Sequence, residues 1–118
     1  TGFGRAATDL AHFLCAAVDA DVLAKDGVVN AILDAYHAEL AVPDYSRDEL
    51  QDDVEIGILD TCRLVFGYQW PRIGATPEVL TRYKDVMGRN AYNKNLNNAL
   101  WLVDQCDTLL AKHYPPQT

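Results

Sequence analysis

SRDELQDDVEIGILDTCRLVF, residues 46–66, decides the fold class. Ser46 followed three residues later by Glu49 is a capping box, in which each side chain satisfies an orphan backbone N–H of the other at a helix start. Beyond it Leu50, Val54, Ile58, Cys62 and Val65 recur every three or four residues, the period of one helical face. Ile56, Leu59 and Phe66 lie off that stripe. A helix apolar on more than one side is covered on more than one side, so this element is expected at the centre of the core. Gly57 in its interior costs about 1 kcal/mol relative to Ala. A close crossing with another helix would account for it.

The flanking sequence carries the same period. Leu10, Phe13, Leu14, Ala17 and Val18 predict a helix from about Thr8 to Val18, with Thr8 or Asp9 as its cap. The acidic stretch from Asp19 to Asp26, closed by Gly27, reads as a connection. Val28, Ile32, Ala35, Tyr36 and Leu40 predict a second helix over 28–40, and AVPDY breaks the chain at Pro43. GYQWPRIGA, residues 67–75, reads as irregular. Thr76-Pro77-Glu78 opens a short helix that runs to about Met87 and stops at Gly88. The last helix is expected over Ala91–His113, with Leu96, Leu100, Val103, Cys106 and Leu110 inward. No stretch alternates with the period of a strand. The expectation is one all-α unit over residues 1–118, built from about five helices.

Length and charge bound the function. The 118 residues suit one ordinary domain. A net charge of −7, with Lys and Arg scattered singly, repels a phosphate backbone and excludes a nucleic-acid partner. No apolar run approaches the roughly 18 residues of a membrane span. Cys15, Cys62 and Cys106 are odd in number, far apart and set in apolar patterns. They read as buried free thiols of a reducing, cytoplasmic compartment rather than as a disulfide framework or a zinc site. His12, His37 and His113 have no His partner at i, i+4, so no metal site is expected. Ser46, the only Ser, is a cap and not a nucleophile. GFGRAA, residues 2–7, matches a dinucleotide fingerprint, but no strand precedes it and helices follow, which removes that reading. A chain that begins at Thr1 inside a Gly-rich stretch reads as cut, with its parent continuing upstream.

TGFGRAATDLAHFL, residues 1–14, resembles the segment that follows the metal-binding Asp motif in aminoglycoside phosphotransferase-like kinases. It is most similar to the ecdysteroid kinase-like, or CHK kinase-like, branch. There Gly-x-Gly or Gly-x-Pro leads into Asp-Leu-Ala and an apolar helix. A helix ending in Tyr-x-x-x-Leu comes next, then Tyr-Ser/Thr and an acidic amphipathic helix. Tyr36 to Leu40, Tyr45-Ser46 and RDELQDDVEIGILD stand in that order here. The resemblance runs from Thr1 to about Val65 and weakens after it.

It implies the helical part of the C-terminal lobe of a protein-kinase-like fold. The parent would transfer phosphate from ATP, with Mg²⁺, to a small-molecule hydroxyl, and its N-terminal lobe would be this unit's partner. The family's His-x-Asp-x-x-x-x-Asn loop and metal-binding Asp are absent, since Phe13, Ala38 and Tyr114 follow the three His. Phosphoryl transfer needs placed metal ions and an aligned base, so this chain alone is expected to hold no catalytic residue, metal or cofactor. Asp9 matches the Asp of Asp-Leu-Ala, which implies a residue that positions the catalytic loop by accepting its backbone N–H groups. Stabilisation of a helix N-terminus is the other reading of Asp9. Gly2 and Gly4 match the turn after the metal motif.

Tyr68, Trp70, Tyr92 and Trp101 can wall a substrate pocket or simply pack the core. Asp48, Glu49, Asp52, Asp53 and Glu55 read as a solvated face, with attraction of a basic substrate as the alternative. Asp60 and Arg63 are spaced to pair, and Asp104 and Asp107 are read as solvent-facing. A non-enzymatic helical interaction module remains the second reading of the whole chain.

Overall fold

The computed structural model describes residues 2–87 and 96–116, and every regular element among them is helical. In order these are α1 (Gly2–Ala17), α2 (Ala20–Leu23), α3 (Val28–Leu40), α4 (Arg47–Leu64), a π-helical segment (Val65–Gln69), α5 (Trp70–Ile73), α6 (Pro77–Met87) and α7 (Leu96–His113). The all-α expectation holds.

Helix α4 is the centre, packed by α1, α3 and α7. Its capping box forms: Glu49 N–H donates to Ser46 Oγ at 3.0 Å, and Ser46 N–H donates to Glu49 Oε1 at 3.3 Å. Leu50, Val54, Ile58, Cys62 and Val65 are all buried. At Gly57 the neighbour is α1. A Cβ there would lie 2.8 Å from Ala11 Cβ and 3.7 Å from Thr8 Cα, so the glycine admits the close crossing the sequence suggested.

That crossing sets the face that α1 buries. Only small residues fit against Gly57, so Ala7 and Ala11 go inward with Leu10, Leu14 and Cys15, while Phe13 and Ala17 turn out. The helix also begins at Gly2, ahead of the Thr8 start expected from the sequence, because its buried face already includes Ala7.

Helix α3 stops at Ala41, which takes a left-handed φ of 48°, just before Pro43. Arg47, the first residue of α4, then ties the two helices together. Its Nε donates to Asp34 at 2.7 Å, and its terminal nitrogens donate to Gln51 at 3.0 Å and Asn30 at 3.3 Å. Buried Tyr45 closes the same corner, donating its hydroxyl to Asp53 Oδ2 at 2.7 Å.

Residues 67–75 are not irregular, as their composition suggested. The chain stays helical through the π segment and α5 and ends at Gly74, in the left-handed region at φ 59°. In a regular α-helix the Pro71 ring would strike the carbonyl four residues back. The wider π turn, with Trp70 N–H reaching the Val65 carbonyl, carries the helix past it.

The expected connection before Gly27 contains α2, pulled inward by buried Ala20 and Leu23. Buried Asn98 of α7 holds it there: Asn98 Oδ1 accepts from Ala20 N–H at 3.0 Å, and Asn98 Nδ2 donates to the Val18 carbonyl at 3.0 Å. This anchor rotates α7 away from the expected face. Ala99, Leu102 and Leu109 are buried, whereas Leu100 is 59% exposed and Val103 and Leu110 are 45% exposed. Thr76 caps α6 as expected, accepting from Val79 N–H at 3.2 Å. Gly88 and residues 91–95 lie outside the described residues. Among the described residues no helix is long and apolar enough to cross a membrane.

Candidate functional site

Between α1 and α3 runs an open groove of about 520 Å³, lined by Asp9, Leu10, Phe13, Ile32, Tyr36 and Glu39 among others. Its volume lies within the range of small-molecule pockets. The two helices reach each other at its end, where the Tyr36 hydroxyl donates to the Ala6 carbonyl at 3.3 Å. Phe13 stands 51% exposed in its wall. Asp9 is exposed on α1. It lies beyond the first turn, so it is too far along to cap the helix, and the N-cap reading of Asp9 falls. Among the described residues no hydrogen bond or ion pair holds the carboxylate of Asp9 or of Glu39. Gly2 and Gly4 lie within the first turn of α1 rather than in a turn ahead of it, since the helix extends that far back.

The aromatic candidates divide. Tyr68 and Trp70 sit on the π segment and α5. Tyr68 is 55% exposed, with Arg72 over its ring at 5.1 Å and donating to its hydroxyl at 3.0 Å. Trp70 lines a second, shallow groove of about 440 Å³ that is open to solvent, with Phe66, Pro71, Gly74, Ala75 and Thr76. Neither Tyr68 nor Trp101 lines that groove. Trp101 is half-buried and packs against the core. Tyr92 lies outside the described residues.

A third cluster escaped the sequence reading. Glu55 of α4 accepts from Lys112 Nζ at 2.7 Å and Gln51 Nε2 at 3.2 Å, and its Oε1 meets His113 Nε2 at 2.8 Å. Ligand atoms of Asp52, Glu55 and His113 lie within 4.8 Å of one another, the spacing of a cation site. The Lys112 ammonium already serves that purpose. Burial raises the Glu55 carboxyl, but the hydrogen bonds from Lys112, His113 and Gln51 bring it net below its usual value. The signal was present in the i, i+3 pair Asp52 and Glu55 and the cationic last turn of α7.

The three cysteines are free, Cys15 and Cys62 buried and Cys106 half-buried. They cluster in space although scattered in sequence: Cys62 is pushed up first by burial, then by Cys106 and Cys15 beside it. Cys15 is pushed up to about 12 by burial. Thiols so held are poor nucleophiles. The Asp60–Arg63 pair forms at 3.9 Å on the exposed side of α4.

Compared with family models, curated proteins and solved structures, the chain matches none.

Proposed function

We propose that the chain is the helical C-lobe portion of an ATP-dependent, kinase-like phosphotransferase acting on a small-molecule hydroxyl, and that it serves there as scaffold rather than catalyst. The observation that carries this reading is the setting of Asp9. Its unpartnered carboxylate lies on the rim of an open apolar groove, on the helix that crosses the central α4. A carboxylate so placed can accept backbone N–H groups from a catalytic loop docked over Phe13 and Leu10. ATP, Mg²⁺ and the base would be held by that other segment, because phosphoryl transfer requires them and no His-x-Asp occurs here.

The coding region directly upstream of Thr1 tests this. His-x-Asp-x-x-x-x-Asn followed by Asp-Trp/Phe-Gln/Glu is expected there. In the full protein Asp9→Asn should lower kcat more than it raises KM. A start codon beside Thr1 with no such motifs would overturn the reading.

A helical interaction module is the second reading. The outward apolar residues Leu100, Val103 and Leu110 of α7 favour it. Capture of a protein partner that is lost on Leu100→Lys would support it.

A further inference from the structure

Helix α7 is apolar on two faces. Ala99, Leu102 and Leu109 are spent on the core. On the other face Leu96, Leu100, Val103, Asp107, Leu110 and Tyr114 recur at alternating intervals of four and three residues. That is the a/d seam of a heptad, the spacing by which one helix packs along another. Leu100, Val103, Leu110 and Tyr114 of this seam are exposed. Tyr114 N–H donates to the Leu110 carbonyl at 2.8 Å, which carries the helical turn through the last seam residue. From Leu100 to Tyr114 the seam runs about 21 Å, or about four turns. Asp107 sits on it and Asp104 beside it, both exposed. Among the described residues no hydrogen bond or ion pair holds either carboxylate. Lys112, the only Lys or Arg of α7, is held by Glu55 at 2.7 Å.

We infer that this seam docks a basic amphipathic helix of another protein, whose apolar residues lie along Leu100, Val103, Leu110 and Tyr114 and whose Lys or Arg side chains meet Asp107 and Asp104. Apolar residues at heptad spacing call for a helix as the occupant. Charge selects which helix. An uncharged one would strip water from Asp107 and return nothing. A second copy of this chain would bring the same two carboxylates to the seam and no cation, and like charges facing each other across an interface disfavour it. A basic helix covers the apolar residues and pairs both acids. The inference rests on the reading of the chain as an interaction module and adds the chemistry of the partner.

Two helical peptides of about three heptads, with Leu along their own a/d seam, test it. One carries Lys at the positions that meet Asp104 and Asp107, the other Glu there, and nothing else differs. Binding is followed by fluorescence anisotropy at physiological salt, where charges further apart than about 8 Å are largely screened. The Lys peptide should bind at least about tenfold more tightly than the Glu peptide. Asp107→Lys should reverse that preference. Asp26→Lys, which makes the same change of net charge in the exposed turn before α3, should leave it in place. Leu100→Lys should abolish binding of the Lys peptide. A preference that Asp107→Lys does not reverse, or no saturable binding of either peptide, would overturn the inference. Self-association of the native chain that Leu100→Lys abolishes would give the face to a second copy and overturn it too. Equal affinities that Leu100→Lys abolishes would sink the basic partner yet leave the interaction module standing, so the two failures are seen apart.

Discussion

Gly57→Ala would place a methyl group 2.8 Å from Ala11 Cβ, below any real contact distance, with helix backbone rather than a flexible tip close behind it. Overpacking of this kind costs about 1–3 kcal/mol, and the better helix propensity of Ala returns about 1 kcal/mol of that. A net loss of up to about 2 kcal/mol in urea denaturation is expected, partly restored by Ala11→Gly in the same chain. A stabilised variant would mean that α1 does not cross there. The cysteines give a second expectation at this scale. With burial pushing Cys15 up to about 12 and Cys62 up as well, neither should react with Ellman's reagent at about pH 8 in the folded chain. Half-buried Cys106 should react first, and all three only after unfolding. Prompt labelling of Cys15 would contradict the burial described.

Helix α7 shows what an apolar pattern leaves undecided. It offers two apolar faces, Leu96–Leu100–Val103–Leu110 and Ala99–Leu102–Leu109, and periodicity alone does not choose between them. The choice falls to Asn98, a polar residue that hydrophobic counting ignores. Turning it outward would orphan the Ala20 N–H and the Val18 carbonyl, which it now satisfies. Leu102→Ala should therefore cost about 2–5 kcal/mol, while Leu100→Ala stays within about 0.5 kcal/mol. Equal costs would put the helix in the other rotation. Helix α4 was legible because its stripe, its capping box and its glycine all pointed the same way. The start of α1 was not, because Thr8 and Asp9 look like caps and only the close approach of α4 makes Ala7 a core residue. The π segment was hidden by Gly67 and Pro71, which read as breakers until the wider turn accommodates them. Of the candidate residues, Trp70 lines a shallow groove and also packs against the core, so the two readings the sequence left open for it stay open. The groove beside Asp9 needs α3 alongside α1, which no local pattern encodes.

At the scale of the whole molecule, the end of the last helix is clasped to the centre of the fold mainly at Glu55, with Asp52 a longer contact of Lys112 at 4.0 Å. Glu55 is half-buried, and three nitrogens converge on it, from Gln51 of α4 and from Lys112 and His113 in the final turn of α7. Its folded value lies below the usual 4.5, so the stabilisation it gives is present above that pH and is lost as pH falls through the folded value. Lys112 works in the opposite sense: raised above 10.5, first by its hydrogen bond to Glu55, it stabilises below that pH and stops as pH rises through its folded value. The clasp is thus closed between about pH 4.5 and 10.5. Glu55→Gln keeps the shape and removes the charge, and should cost about 1–2 kcal/mol near neutral pH. The measurement is Tm against pH for both chains, from about pH 3 to 8. The native and variant curves should converge as pH drops below 4.5, because a protonated Glu55 carries no more charge than the glutamine that replaces it. The loss of the chain's other negative charges on acidification acts on both curves alike. Curves that stay parallel down to about pH 3 would show that Glu55 holds α7 by packing alone, and that the ammonium of Lys112 contributes nothing to the joint between the last helix and the core.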